Sequence, residues 1–454
     1  MEKLKEFWSD FCIEEKLLML YIIALFNMDI AAFVFRNKRI LYADIVFLIL
    51  FIIFVWRLVK REKQLKPTSL EIPLIIMVVL FTLSFLNSIN LVSSFAELLG
   101  IIYLIILFFL ISNIIETKKK LIPFLYLWMV ISFIISLIGL SAFVLAIMNK
   151  DWINTQFLYY QTIESMAHHF PRIDSTFANA NMFLTYLHVS LMFSIILFLF
   201  EENFKKRLFI IACISLILIT AFFTGSRRFT GLLLSLFIIL CFYGRGIFTS
   251  VLKNITFLFF LFFLILSVVT SIWVIFPFKV VKDENKKIVN LKMNYAYSLH
   301  LTQLVASINM IKNNPIIGVG FGTYNNHFKE NVDWEWLRSS FGFEAYPEVI
   351  EAVENKTLNF DPHSVYLGTF AETGLVGFLG LIYFFFKYMS LLIKRFTKDR
   401  NLGLEKIVSG CILAGFIGFL LNGLTIDILS MRHFWFMIAV GIIGINLNKK
   451  SLEC

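Results

Sequence analysis

Apolar stretches of about 20 residues recur along the whole chain, each long enough to cross a hydrocarbon core as an α-helix. They make the chain an all-α integral membrane protein with many spans. The composition agrees: 59% of residues are hydrophobic, 17% aromatic and 16% charged, and phenylalanine alone occurs 53 times. Soluble domains carry about one quarter charged residues. Twelve spans are read, at 17–35, 40–59, 70–88, 95–115, 121–148, 177–200, 208–223, 229–248, 255–278, 367–393, 407–424 and 432–447. The first is too long for a signal h-region and lacks a clear small-residue cleavage site, so it is read as retained. The fifth and ninth are long enough to tilt or to extend beyond the bilayer.

Lysine and arginine set the orientation. With the N-terminus inside, 24 of the 41 basic residues fall in cytoplasmic segments. The short outer loops hold eight, and the remaining nine lie in 279–366, a loop too long to bear on orientation. Both termini are therefore expected in the cytoplasm. The net charge of +10 follows from this topology and does not mark a nucleic-acid partner. Three parts result: residues 1–278 with nine spans, an outer loop 279–366, and residues 367–448 with three more spans. The five cysteines lie in or near apolar runs or close to the ends, so neither a disulfide framework nor a zinc site is indicated.

The unusual residues gather on the outer side. "TGSRRFTG" puts Arg227 and Arg228 in a short turn between spans 7 and 8, against the positive-inside tendency. An arginine at bilayer depth costs roughly 2.5–3.5 kcal/mol on insertion scales. The pair is either a snorkelling cap or an anion site. Adjacent helical residues point about 100° apart, so one of the two faces such a site, with Arg227 favoured. Arg172 lies in "PRIDSTFANANMF", with Asn179 and Asn181 at the mouth of span 6. His168 and His169 have no partner at metal-ligand spacing and are read as loop residues.

In the long loop, "YSLHLTQLVASINMIKNN" is amphipathic, ends before Pro315, and predicts a helix on the outer surface. "NPIIGVGFGTY" follows a helix and a proline, not a strand, so its glycines make a tight turn and not a dinucleotide site. "DWEW" at 333–336 carries a single Asp-x-Glu, weak as a metal motif, and its tryptophans suit an apolar anchor or a sugar-stacking face. His363 stands at the mouth of span 10, either as a helix-start residue or as a catalytic base. Gly374, Gly377 and Gly380 follow as a small-residue packing strip. Glu372 falls about 13 Å further along the axis, roughly on the face opposite His363, so the two need not act together.

"NPIIGVGFGTY" followed by "DPHSVYLGTFAETGLVGFLGLI" resembles the O-antigen ligase and O-antigen polymerase superfamily of bacterial envelope enzymes. "RIDSTFANANMF" and "TGSRRFTG" are similar to two further segments of that family, and the matches cover about half the chain in order. The resemblance implies glycan transfer from a polyprenyl (undecaprenyl) diphosphate carrier to an acceptor hydroxyl, on the outer face of the bacterial cytoplasmic membrane. Its partners would be the carrier-linked glycan, an acceptor glycolipid or glycan, and the bilayer. Arg172 and Arg227, with Arg228 beside it, would hold the diphosphate, and His363 would act on the acceptor hydroxyl. No cofactor or metal is implied, because arginine forks can stabilise the leaving phosphate and histidine titrates near neutral pH.

Three positions depart from the family pattern. Ser364 stands where asparagine is usual, Ser175 where glycine is usual, and His300 where another arginine is common; His300 is taken as the further diphosphate-binding residue at that place, and Lys292 or Arg338 could substitute for it. The pattern leaves ligase and polymerase both open. The alternative function is a lipid-linked glycan flippase, which would place charges deep in a central cavity. A metal-dependent transferase would need carboxylates in the first outer loop, which reads "RNKR".

Overall fold

The computed structural model describes residues 10–26, 31–35, 38–148, 157–163, 168–244, 278–282, 288–293, 299–336, 360–398 and 403–447. Helices dominate. In order they are α1 (Ile13–Ala24), α2 (Tyr42–Val59), α3 (Glu71–Leu83) with a 3-10 turn Ser84–Asn87, α4 (Leu91–Ile114), α5 (Lys118–Ile147), α6 (Ala180–Phe200), α7 (Phe204–Phe223), α8 (Phe229–Tyr243), α9 (Leu299–Asn313), α10 (Tyr324–Asn331), α11 (Val365–Lys398), α12 (Leu404–Asn422) and α13 (Arg432–Asn446). Three antiparallel hairpins join them: β1 (Ala31–Phe35) with β2 (Lys38–Leu41), β3 (Leu158–Ile163) with β4 (His168–Ile173), and β5 (Phe278–Lys282) with β6 (Ile288–Met293).

Among the described residues, seven helices are long and apolar enough to cross a membrane: α2, α4, α5, α6, α7, α11 and α12. Three shorter apolar helices, Glu71–Asn87, Phe229–Tyr243 and Arg432–Asn446, coincide with the expected spans 3, 8 and 12. The expected ninth span, 255–278, lies outside the described residues but for the start of β5. The first expected span, 17–35, is corrected: its helix ends at Ala24 and its remainder includes strand β1. At 1.5 Å per residue α1 is about 18 Å long, well short of a hydrocarbon core of about 30 Å.

The bundle is built around α6 and α12. In their apolar stretches 83% and 72% of residues are buried, against 22% in α2 and 28% in α7. A helix apolar on all sides belongs in the interior, and one with a single buried stripe belongs at the lipid boundary. Helix α12 packs against α8, α11, α13 and α6, and so links the parts of the chain before and after the long loop.

Several charged groups of the bundle are paired. Arg432, at the start of α13, donates to Asp44 of α2 at 2.6 Å and to the Tyr103 hydroxyl of α4 at 3.2 Å. Tyr103 in turn bonds Asp44 at 3.1 Å. At the opposite end of α1, Glu14 is paired with Arg57 at 2.6 Å and Glu15 with Lys120. Removing one partner of such a pair would leave a buried charge uncompensated.

The predicted loop helix is α9, and it ends at Asn313 before Pro315. It packs on α11 and α10, and Val305, Ala306, Met310, Val319, Tyr324, Phe328, Phe360 and Ala371 form a second small core there. The glycine strip of span 10 faces α3: a Cβ at Gly380 would come within 3.1 Å of Leu80, and one at Gly377 within 3.3 Å of Phe81.

Candidate active site

Helix α7 ends at Phe223, and a five-residue turn leads into α8. Gly225, at φ +57°, takes the left-handed conformation that lets the chain reverse, and the Arg172 side chain crosses it. Arg172 belongs to β4, where it pairs in register with Tyr159. Its Nε donates to the Thr224 carbonyl at 2.8 Å and its Nη2 to Asn181 Oδ1 at 3.3 Å. The same Asn181 oxygen accepts the Ser226 hydroxyl at 2.7 Å. Asn179 caps α6 by accepting the Met182 amide at 2.8 Å. Asn181 thus ties the arginine of β4 to the arginine turn.

Arg228 is buried, 7% exposed, and donates through Nη2 to the Thr425 carbonyl just past α12. Its Nε has no hydrogen-bond partner among the described residues. Arg227 is half-buried, and its guanidinium has no hydrogen bond or carboxylate partner among the described residues. Burial, and then the neighbouring Arg172, lower the Arg227 pKa. Burial, then Arg227 and Arg172, push Arg228 down to about 9. Three guanidiniums therefore repel one another in a partly desolvated site. An anion bound there would relieve that repulsion and take up the unused donors.

His363 joins this cluster from the other side. It sits at φ +42°, between Pro362, which packs on Gly368, and Ser364, which caps α11 by accepting the Leu367 amide at 3.3 Å. Serine and asparagine both serve at a helix start, so Ser364 can do there what an asparagine would. The Val365 amide bonds the Gly423 carbonyl at 2.9 Å, and Tyr366 Oη bonds the Leu420 carbonyl at 2.8 Å, docking the turn on the end of α12.

Surrounding protein and then the Arg228 guanidinium lower the His363 pKa, while Asp361 pulls it back up. Asp361 is itself raised by burial, against the pull of His363. Both residues remain exposed. His363 and Asp361 are thus accessible from solvent while they feel one another's charge and, at His363, that of Arg228. Asp427, between α12 and α13, is raised by burial and by Asp361, while the Leu429 amide it accepts at 3.0 Å works the other way. The one signal of Asp427 in the sequence is a lone carboxylate between two spans.

The segment at 315–324 is docked into a break in α11. Gly374 has φ +64° and ψ −169°, so the helix runs to Thr373, breaks, and resumes at Leu375. The freed groups bond the loop: Val319 and Gly320 amides donate to the Ala371 and Glu372 carbonyls at 3.0 and 2.9 Å, and Leu375 and Val376 amides to the Pro315 and Ile316 carbonyls at 2.9 and 3.2 Å. A Cβ on Gly374 would lie 2.2 Å from the Ile316 oxygen, so only glycine fits. Glu372 Oε1 accepts the Tyr324 amide at 2.9 Å, at the start of α10, and the carboxylate also bonds the Gly322 amide.

The structure brings together Arg172, Arg227, Arg228 and His363, with Asp361 and Asp427 beside them. His300 lies on α9, with its side chain outside the described residues, as are the side chains of Lys292, His168 and His169 and the whole of Arg338. In "DWEW", Asp333 accepts the Trp336 amide at 2.8 Å, Trp334 packs on the second small core and Trp336 is exposed.

Residues 212–382 match the family model described as O-Antigen ligase. The resemblance to the O-antigen ligase and polymerase superfamily holds. The match takes in the arginine turn, the glycine loop, His363 and the break in α11, while Arg172 precedes it. No curated protein matches the chain. The O-antigen ligase match, with the apolar helices, implies a multi-pass membrane enzyme carrying out glycan transfer of the ligase or polymerase type onto an acceptor.

Proposed function

We propose that this chain transfers a glycan from a polyprenyl diphosphate carrier, undecaprenyl diphosphate in bacteria, to an acceptor hydroxyl on the outer face of the cytoplasmic membrane, as a ligase or polymerase and without a metal. Both termini are then cytoplasmic. Arg172, Arg227 and Arg228 bind the diphosphate. His363 accepts the proton of the acceptor hydroxyl as its oxygen forms a bond to the anomeric carbon. The bond from that carbon to the carrier phosphate breaks, and its electron pair leaves with the diphosphate.

The observation that carries this reading is the desolvated arginine cluster beside the exposed His363. Arg227 and Arg228 have no carboxylate partner among the described residues, and Arg228 is anchored on the Thr425 carbonyl, so their charge is available to stabilise a developing phosphate charge. The cluster gathers at one end of α6, α8, α11 and α12, which favours the transferase over the flippase, since a flippase would need charge along a path through the bundle. His363 below its ordinary range is unprotonated at neutral pH and able to accept a proton.

The test is Arg227→Ala in purified protein, with binding of undecaprenyl diphosphate and transfer from the carrier-linked glycan both measured. Loss of one positioned donor should lower turnover by about 10²–10³-fold. Arg227→Lys should recover little, because an ammonium cannot make the forked contact. Full activity in Arg227→Ala would move the phosphate site away from this turn.

A further inference from the structure

We propose that Glu372 is a positioning residue for His363, acting through the first turn of α10. This rests on the reading of His363 as the base and adds the device that aims it. On an unbroken helix Glu372 and His363 would lie on opposite faces with no common task. The break at Gly374 and the docked outer layer connect them by another route.

The Glu372 carboxylate takes the amides of Gly322 and Tyr324, and so pins the start of α10. A carboxylate at a helix N-terminus also meets the positive end of its dipole. The next residue, Asn325, accepts the Phe360 amide through Oδ1 at 2.9 Å. One turn on, Phe328 stacks on Phe360 with centroids 4.3 Å apart and planes 9° from parallel. Phe360 is 5% exposed and lies three residues before His363. The chain of contacts is therefore Glu372, Tyr324, Asn325, Phe360, and then the Asp361–Pro362 turn that presents the imidazole.

The other end of that turn is fixed separately, by the bonds of Ser364 and Val365 to the end of α12. His363, at φ +42°, is an unfavourable conformation for a residue with a side chain. It persists only where both flanks are held. Releasing the α10 flank lets the turn relax, and His363 leaves the field of Arg228.

The experiment compares Glu372→Gln, Asn325→Ala, their double variant and His363→Ala in full-length purified protein. Three quantities are read: turnover with the carrier-linked glycan, affinity for undecaprenyl diphosphate, and the His363 pKa from isotope-labelled histidine NMR. A misplacement near 1 Å can cost about 10²-fold in rate, so Glu372→Gln and Asn325→Ala should each lose about 10–10²-fold in kcat. Carrier affinity should be unchanged, because the arginines are held from α6, α7 and α12. The His363 pKa should rise toward about 6.5, and the double variant should lose little more than either single one, since both cut one chain of contacts.

A merely structural Glu372 would lower the amount of folded protein without moving the His363 pKa, and that result overturns the proposal. Additive losses overturn it as well. Should Glu372→Gln fail to fold, Asn325→Ala carries the same prediction on a more exposed leg. Normal turnover in His363→Ala would instead overturn the assignment of the base itself.

Discussion

Asn181 is the simplest place to test whether the arginines act as a built site. One oxygen accepts two donors, the Arg172 guanidinium at 3.3 Å and the buried Ser226 hydroxyl at 2.7 Å. Asn181→Ala removes both bonds. A neutral hydrogen bond is worth about 1 kcal/mol and one to a charged group about 1.5–3 kcal/mol; the long contact to Arg172 belongs at the low end. The sum is about 2–3 kcal/mol of lost local order. Arg172 keeps its bond to Thr224, so its reach is retained while its direction is not. If most of that loss appears in carrier binding, affinity for undecaprenyl diphosphate falls by about 10–10²-fold, at 1.4 kcal/mol per tenfold.

Asn181→Asp separates orientation from charge. The carboxylate still accepts both donors and pairs with Arg172, so thermal stability should hold or rise. It also puts a negative charge where the diphosphate should bind, so affinity should fall at least as far as in Asn181→Ala. Fluorescence or calorimetric titration in detergent, beside a thermal melt, reads both. An aspartate variant that binds the carrier as tightly as the wild type would refute the anion-site reasoning.

Three further outcomes are expected. The acid limb of the pH profile should lie below the ordinary histidine value of about 6.5; it should move up in Arg228→Gln, because the guanidinium that disfavours protonation is gone, and down in Asp361→Asn. Gly374→Ala forces a side chain into a left-handed φ with a carbonyl 2.2 Å away, so at least about 1–3 kcal/mol of strain should lower the melting temperature measurably. In a cysteine-free background, an impermeant thiol reagent should label a cysteine at Asn326 and not one at Lys119 in intact cells, or in spheroplasts if an outer membrane blocks entry; the reverse pattern would invert the topology.

Much of the architecture was legible because hydrocarbon-spanning helices leave a simple length and polarity signal. The spans of α2, α4, α5, α6, α7 and α12 were anticipated within a few residues, as was the loop helix α9 from its amphipathic pattern and Pro315. The short α1 was misjudged because its apolar run continues into β1, and hydropathy cannot separate a helix from the strand of a hairpin. In the sequence Gly374 shows only as part of a packing strip with Gly377 and Gly380. A single glycine in an apolar run does not announce its φ, and the loop that receives the freed amides lies over fifty residues earlier. The arginines and His363 stood out because they break the composition around them. Asn325, Asp427 and the role of Glu372 did not, since each acts through contacts with residues distant in sequence.

The most direct test of the account is turnover by His363→Gln in purified protein supplied with the carrier-linked glycan and its acceptor, in EDTA. Glutamine can still donate or accept a hydrogen bond but cannot take the proton. General-base assistance is worth about 10²–10⁴-fold. A fall of that size, with undecaprenyl diphosphate affinity intact, is expected if His363 is the base. Turnover at the wild-type rate would contradict it, leaving His363 to position the acceptor and no base at the arginine cluster.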